Sequence, residues 1–259
     1  MKRSEHTSGY FSRDNRGVSE VIAFVLVFGI ILSSVALLSM TGFQAMEDYQ
    51  ENEQLQNAER AMDALAENYN DVLQHSAIEE RYAELSLREG TVSTGSDGTE
   101  LTITIERSDG TSDIVKHDFD IGGDNTDSFS LGEFAYTTGS DTIAYDGGAV
   151  VRESEYGSAV VRQPHLKCSD DRAIISLVTI DTDERSIQSS DGLGFTMSVE
   201  NRTAELYDED IEDVRITVDS PTAETAWEDH ILDRGNWDDG TCEDIEEVLV
   251  TVVEVSVDY

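Results

Sequence analysis

Basic residues are scarce in this chain of 259 residues: 17 Lys and Arg face 55 Asp and Glu, and the formal net charge is -38. Nucleic acid is thereby excluded as a partner, because phosphate binding depends on clustered Lys and Arg and none appears beyond the N-terminus. Long apolar runs are scarce too. A single one dominates, so the chain has room for one membrane segment and one folded domain of ordinary size. Only two prolines are present, which leaves the turns to Gly, Asp and Asn. Signatures of catalysis are missing: there is no G-x-S-x-G, no H-E-x-x-H and no Gly-rich phosphate cradle. The histidines, His6, His75, His117, His165 and His230, stand apart from any serine or cysteine that could complete a nucleophilic constellation. No catalytic, cofactor-binding or metal-ligating residue is assigned, and the chain is expected not to be an enzyme.

Carboxylate is what the chain has in excess. Such a surface repels itself in dilute buffer. At about 1 M salt the Debye length falls to roughly 3 Å and that repulsion is largely screened, so the composition suits concentrated brine and marks a halophile's protein. Val, Ile, Leu and Phe still recur in regular short runs outside the apolar stretch, enough to bury a core.

From Val21 to Met46 the run VIAFVLVFGIILSSVALLSMTGFQAM carries no charge over 26 positions. At about 1.5 Å per residue it exceeds a hydrocarbon core of roughly 30 Å. An ordinary secretory signal has an apolar region of only about 7–15 residues with a small-x-small cleavage site just after it. Here Ser34-Val35-Ala36 lies inside the run, so the segment is expected to be kept. Residues 1–17 form a basic leader with Lys2, Arg3, Arg13 and Arg16 against Glu5 and Asp14. That asymmetry places the N-terminus in the cytoplasm and the bulk of the chain outside the cell. The transmembrane helix is drawn over residues 18–46.

Its front edge, Arg16-Gly17-Val18-Ser19-Glu20-Val21-Ile22, sets a basic residue and a glycine directly against the hydrophobic stretch. This resembles the class III signal peptide of type IV pilins, and most closely that of their haloarchaeal members. The resemblance implies processing by prepilin peptidase, a membrane-embedded aspartic protease, at the Gly17–Val18 bond, with the helix retained for assembly with other pilin-like subunits. Haloarchaeal mature ends often begin Val-Ser-Pro-Val-Ile; this chain has Glu20 where that proline would stand. Glu20 is the third mature residue, whereas many bacterial pilins carry a glutamate at the fifth, where it pairs with the free amine of a neighbouring subunit. The other reading of Glu20 is an interfacial carboxylate at the positive end of the helix dipole. The resemblance covers residues 13–90, with a general likeness to haloarchaeal pilin-like membrane proteins beyond, around Gly147-Gly148-Ala149-Val150.

After Met46 the pattern turns amphipathic: Leu55, Met62 and Tyr69 recur at seven, as do Ala58, Leu65 and Val72. Residues 47–90 are drawn as an extension of the helix, running to about Leu87 and stopping at Gly90. Its apolar stripe needs a cover, either the chain's own sheet or a neighbouring subunit. Residues 91–259 change to short alternating runs between Gly, Asp, Ser and Asn. Strands are predicted over Thr99–Arg107 and, after a turn at Ser108–Gly110, Ile114–Ile121. Others follow at Ser128–Tyr136, Thr142–Tyr145, Ala149–Arg152, Ser158–Gln163, Ala173–Asp181, Phe195–Leu206, Val214–Val218 and Glu247–Val257. A short helix over Thr222–Arg234 has Thr225 and Glu228 at capping-box spacing and Gly235 as its stop. Trp227 and Trp237 are placed in the core. The expected fold class is α+β: a long N-terminal helix followed by an antiparallel β-rich extracellular head, for which a two-sheet sandwich is one arrangement.

Cys168 and Cys242 are the only cysteines and are expected to form a disulfide outside the cell. Two acidic turns, Asp120–Asp127 and Asp181–Glu184, do not complete a calcium loop. The functional expectation is a single-pass, membrane-anchored surface protein, a minor or specialised subunit of an archaeal type IV pilus-like system. The alternative is an unpolymerised ectodomain that binds an external ligand or surface partner.

Overall fold

The structure, a computed structural model, describes residues 16–85, 90–96, 98–119, 121, 126–189, 192–220 and 223–259. It divides into two units, one ending at Asn52 and the other beginning at Glu53. A single helix, α1, runs Arg16–Gln74.

In the first unit, Glu20–Phe43 of α1 is long and apolar enough to cross a membrane. Its large side chains, from Val21 to Phe43, all lie exposed. Two of its hydroxyls turn inward on the helix itself: Ser34 Oγ donates to Ile30 O at 2.6 Å and Thr41 Oγ1 to Leu37 O at 3.0 Å. That back-bonding leaves fewer polar groups to be satisfied by the surroundings.

The second unit is β-rich. Its strands are β1 (Glu80–Leu85), β2 (Gly90–Gly95), β3 (Glu100–Arg107), β4 (Ser112–Ile114), β5 (Phe129–Ser130), β6 (Glu133–Thr138), β7 (Asp141–Asp146) and β8 (Ala149–Ser154). They continue with β9 (Gly157–Arg162), β10 (His165–Ser169), β11 (Arg172–Ile180), β12 (Arg185–Ser189), β13 (Leu193–Tyr207), β14 (Ile211–Asp219), β15 (Thr241–Glu243) and β16 (Glu247–Asp258). Three sheets form, where two were one expectation: β1-β13-β16-β11-β10, β12-β2-β6-β7-β8-β9, and β15-β14-β3-β4 with β5 beside β3. Among the described residues pairing is antiparallel except between β11 and β16, which run parallel.

That parallel pair explains an irregularity in the last strand. Val248, Val250 and Val252 belong to one hydrophobic core, and Val253, Val255 and Val257 to a second. Successive side chains in a strand point to opposite faces, so the change of phase at Val252/Val253 moves burial from one face of the sheet to the other. In β11, Ala173, Ile175 and Leu177 serve the first core and Val178 and Ile180 the second. The two strands switch in register, Leu177 opposite Val252 and Val178 opposite Val253. One sheet is therefore covered on opposite faces along its length.

The C-terminal part of α1 fills the second core. Leu55, Ala58, Met62, Leu65, Tyr69 and Val72 are all buried there, together with Phe134, Tyr136, Phe195 and the last valines of β16. The heptad stripe is covered by the chain's own sheets, and each such Leu, Met or Val contributes about 1.5–3 kcal/mol by leaving water.

Several local expectations are corrected. The helix ends at Gln74, not near Leu87. The next heptad positions are Ser76 and Glu79, so the stripe has nothing apolar left to bury. Arg81 to Leu85 then alternates, with Ala83 and Leu85 buried and Tyr82 and Glu84 exposed, and pairs as β1 with β13. Residues 86–89 lie outside the described residues, and Gly90 opens β2, where a Cβ would strike the ring of Tyr136. Of the strand predicted over Ile114–Ile121 only Ile114 is in a strand, as the last residue of β4, and a 3-10 turn follows at Val115–Asp118. The Ser128–Tyr136 strand breaks at Gly132, whose φ of 69° no strand allows. The Thr222–Arg234 helix shrinks to α2 (Glu224–Ala226) and a π-helical turn, Trp227–Ile231. Its N-cap is Ala223 with no side-chain cap, so Thr225 and Glu228 form no capping box there. Gly235, at φ 71°, does follow the turn.

Candidate functional site

Residues singled out in the sequence fall in two places. Arg16, Gly17 and Val18 form the start of α1, and Glu20 follows, exposed, at the head of the apolar stretch. The Gly17–Val18 bond thus lies in the first turn, where backbone N–H groups lack intrahelical partners and the helix opens most readily. Cys168 and Cys242 are bonded, with Cα atoms 5.8 Å apart. The bridge ties β10 to β15 and closes a loop whose chain-entropy contribution is about 4 kcal/mol.

Sequence reasoning missed the arginines that hold α1 in its seat. Arg152, on β8, donates to Glu59 at 3.0 Å and to Asp141 at 3.2 Å. Arg162, at the end of β9, reaches Asp63 at 2.5 Å. Arg202, on β13, donates to the carbonyls of Val72, in the last turn of α1 where acceptors are left open, and of Ser76, just beyond its end, both at 2.8 Å. A signal was available: cations are few in this chain, and Val150-Val151-Arg152 and Val160-Val161-Arg162 set one against apolar neighbours.

A buried polar network also went unread. Asp146, at the end of β7, is 5% exposed. Its Oδ2 accepts from Thr99 Oγ1 at 2.6 Å and from Trp227 Nε1 at 2.7 Å. Thr99 Oγ1 meets Ser220 Oγ at 2.7 Å, and Ser220 Oγ accepts the Ala223 N–H at 2.9 Å. Thr99 gives its proton to Asp146, so Ser220 donates to Thr99. Burial raises the Asp146 carboxyl to about 6, opposed by those two donors and reinforced by the charge of Glu133. An aspartate before Gly147-Gly148 looks like one more turn residue. The network pins β7 to α2 and to the ends of β3 and β14.

Both tryptophans are buried, as expected: Trp227 fully and Trp237 at 5% exposure. Of the two acidic turns, Asp120, Asp124 and Asn125 lie outside the described residues, and Asp127 pairs with His117 at 2.9 Å. At the other turn, the Asp181 N–H donates to Val255 O at 2.9 Å and Thr182 Oγ1 to Val257 O at 3.0 Å, so the segment is fastened to β16.

Residues 16–258 match the Family of unknown function (DUF7289). The chain belongs to that family. The DUF7289 match begins at Arg16 and takes in α1 and the β-rich unit together. No curated protein and no solved structure matches the chain.

Proposed function

We propose that this member of DUF7289 is a pilin-like surface protein, anchored by Glu20–Phe43 and processed by prepilin peptidase between Gly17 and Val18. The carrying observation is the division of labour along one helix. Its first part is apolar and bare, and from Leu55 to Val72 it is built into the chain's own β-rich domain. A helix used only as an anchor needs no such continuation. One that hands packing force from a bundle to a head does. The basic leader directs the N-terminus to the cytoplasm and the head outside, where a Cys168–Cys242 bridge is kept oxidised. The acidic surface fits a haloarchaeal cell surface in brine.

In this reading Glu20 is the assembly residue, a carboxylate at the membrane-proximal helix start that pairs with the new amine of a neighbour's Val18. The chain serves as a minor or specialised subunit, since a head of three sheets would crowd a filament if present at every position. Surface filaments sheared from cells test the assembly step. The chain is expected among their components and to leave them in a Glu20→Ala strain. Its absence from filaments of the unaltered strain, with the protein still in the membrane fraction, would favour the unpolymerised ectodomain.

A further inference from the structure

Carboxylates crowd the hollows of this surface. One, about 630 Å³, is lined by Glu100, Asp181, Asp219 and Glu254 among others, and another of about 330 Å³ by Asp170, Asp238, Glu243 and Asp244. A hollow of about 290 Å³ between β10 and the turn after the π-helical segment is different. Lys167, Arg234, Asn236, Gln163 and Trp237 line it with Cys168, and no carboxylate does. With 55 acidic residues in 259, a lining that holds two cations and no carboxylate is a sorted environment.

Three observations make it a site for an anion. Arg152, Arg162 and Arg172 are paired with carboxylates, whereas neither Lys167 nor Arg234 makes an ion pair among the described residues. Their charge is not consumed by the fold. Trp237 is 5% exposed, and its Nε1–H, shut off from solvent, meets no acceptor. A buried donor without a partner costs about 1–3 kcal/mol, a cost that a negative charge close by lowers. Finally, the wall is fixed: Cys168 is covalently tied to Cys242, and Trp237 N–H donates to Arg234 O at 3.2 Å, closing the turn on which both side chains stand.

We propose that this pocket binds an oxyanion, a carboxylate or sulfate group, through the Arg234 guanidinium and the Lys167 ammonium, with the Trp237 indole in its wall. Guanidinium and ammonium provide charge-assisted hydrogen bonds, and the fork of arginine matches the planar carboxylate. At about 290 Å³ the pocket suits one sugar-sized residue rather than an extended chain. The site stands on the head and does not depend on N-terminal processing.

The chain has two tryptophans, hence two indole N–H resonances, and Trp237→Phe assigns them. The full chain in detergent micelles is titrated with sodium sulfate, sodium glucuronate or glucose at constant ionic strength. The Trp237 resonance is expected to move saturably with sulfate or glucuronate and not with glucose, while that of Trp227 stays. Lys167→Gln with Arg234→Gln should weaken the response at least about tenfold, one charged hydrogen bond's worth. Tighter glucuronate identifies a sugar-borne carboxylate, and tighter sulfate a free inorganic anion. No saturable movement, or equal movement in the double variant with the Trp227 resonance in place, overturns the proposal.

Discussion

Arg202 closes the end of α1 from 130 residues away, donating through Nη2 to the Val72 carbonyl at 2.8 Å. Its Nη1 takes the Ser76 carbonyl at the same distance. The last carbonyls of a helix carry the negative end of its dipole, so a cation there satisfies acceptors and charge together. Arg202→Ala is expected to lose about 1.5–3 kcal/mol, as for hydrogen bonds to a charged group. Arg202→Lys should recover part of it, because an ammonium reaches fewer of these carbonyls at once. Denaturant unfolding in high salt measures both. An alanine variant within about 0.5 kcal/mol of the parent would show that the cap is idle.

Asp146 gives the fold a pH dependence of its own. Its folded value, about 6, lies above the ordinary 3.8, so folding takes up a proton at this group. Its contribution to stability is therefore fully present below about pH 4 and is lost as pH rises through about 6, on the order of 3 kcal/mol in all. Asp146→Asn keeps an acceptor for Thr99 and Trp227 and cannot ionise. Relative to the parent, the variant should gain stability between pH 4 and pH 7. Parallel stability curves for the two proteins would contradict the assignment.

Salt should act on the β-rich unit as a whole. Its acidic residues far outnumber its basic ones, and lowering ionic strength from about 1 M to about 0.01 M lengthens the Debye length from roughly 3 Å to roughly 30 Å. Far-ultraviolet circular dichroism is expected to show loss of strand signal on dilution and its return when salt is restored. A spectrum indifferent to salt would remove the halophilic reading.

How much was legible follows from which signals are local. Leu55, Met62 and Tyr69 announced their shared face because helical period is a property of neighbouring residues. The end of α1 was not announced, since Ser76 and Glu79 stop a stripe without breaking a helix and no glycine or proline stands there. Val252 and Val253 read as an ambiguity of phase. They are both buried because the sheet changes covered face at that point, a tertiary fact. β2, β10 and β12 lacked strong alternation and were missed for the same reason. Cys168 and Cys242 could be paired by elimination. Asp146 could not be told from the other aspartates, because what distinguishes it is the company of Thr99, Ser220 and Trp227, distant in sequence.

The mass of the mature N-terminus, from membranes of the producing cell, tests the pilin-like account most directly. The account predicts a chain beginning at Val18, and a full-length chain beginning with the basic leader once Gly17→Asp blocks the cut. A leader still attached to the unaltered protein, inserted normally in the membrane, would contradict it.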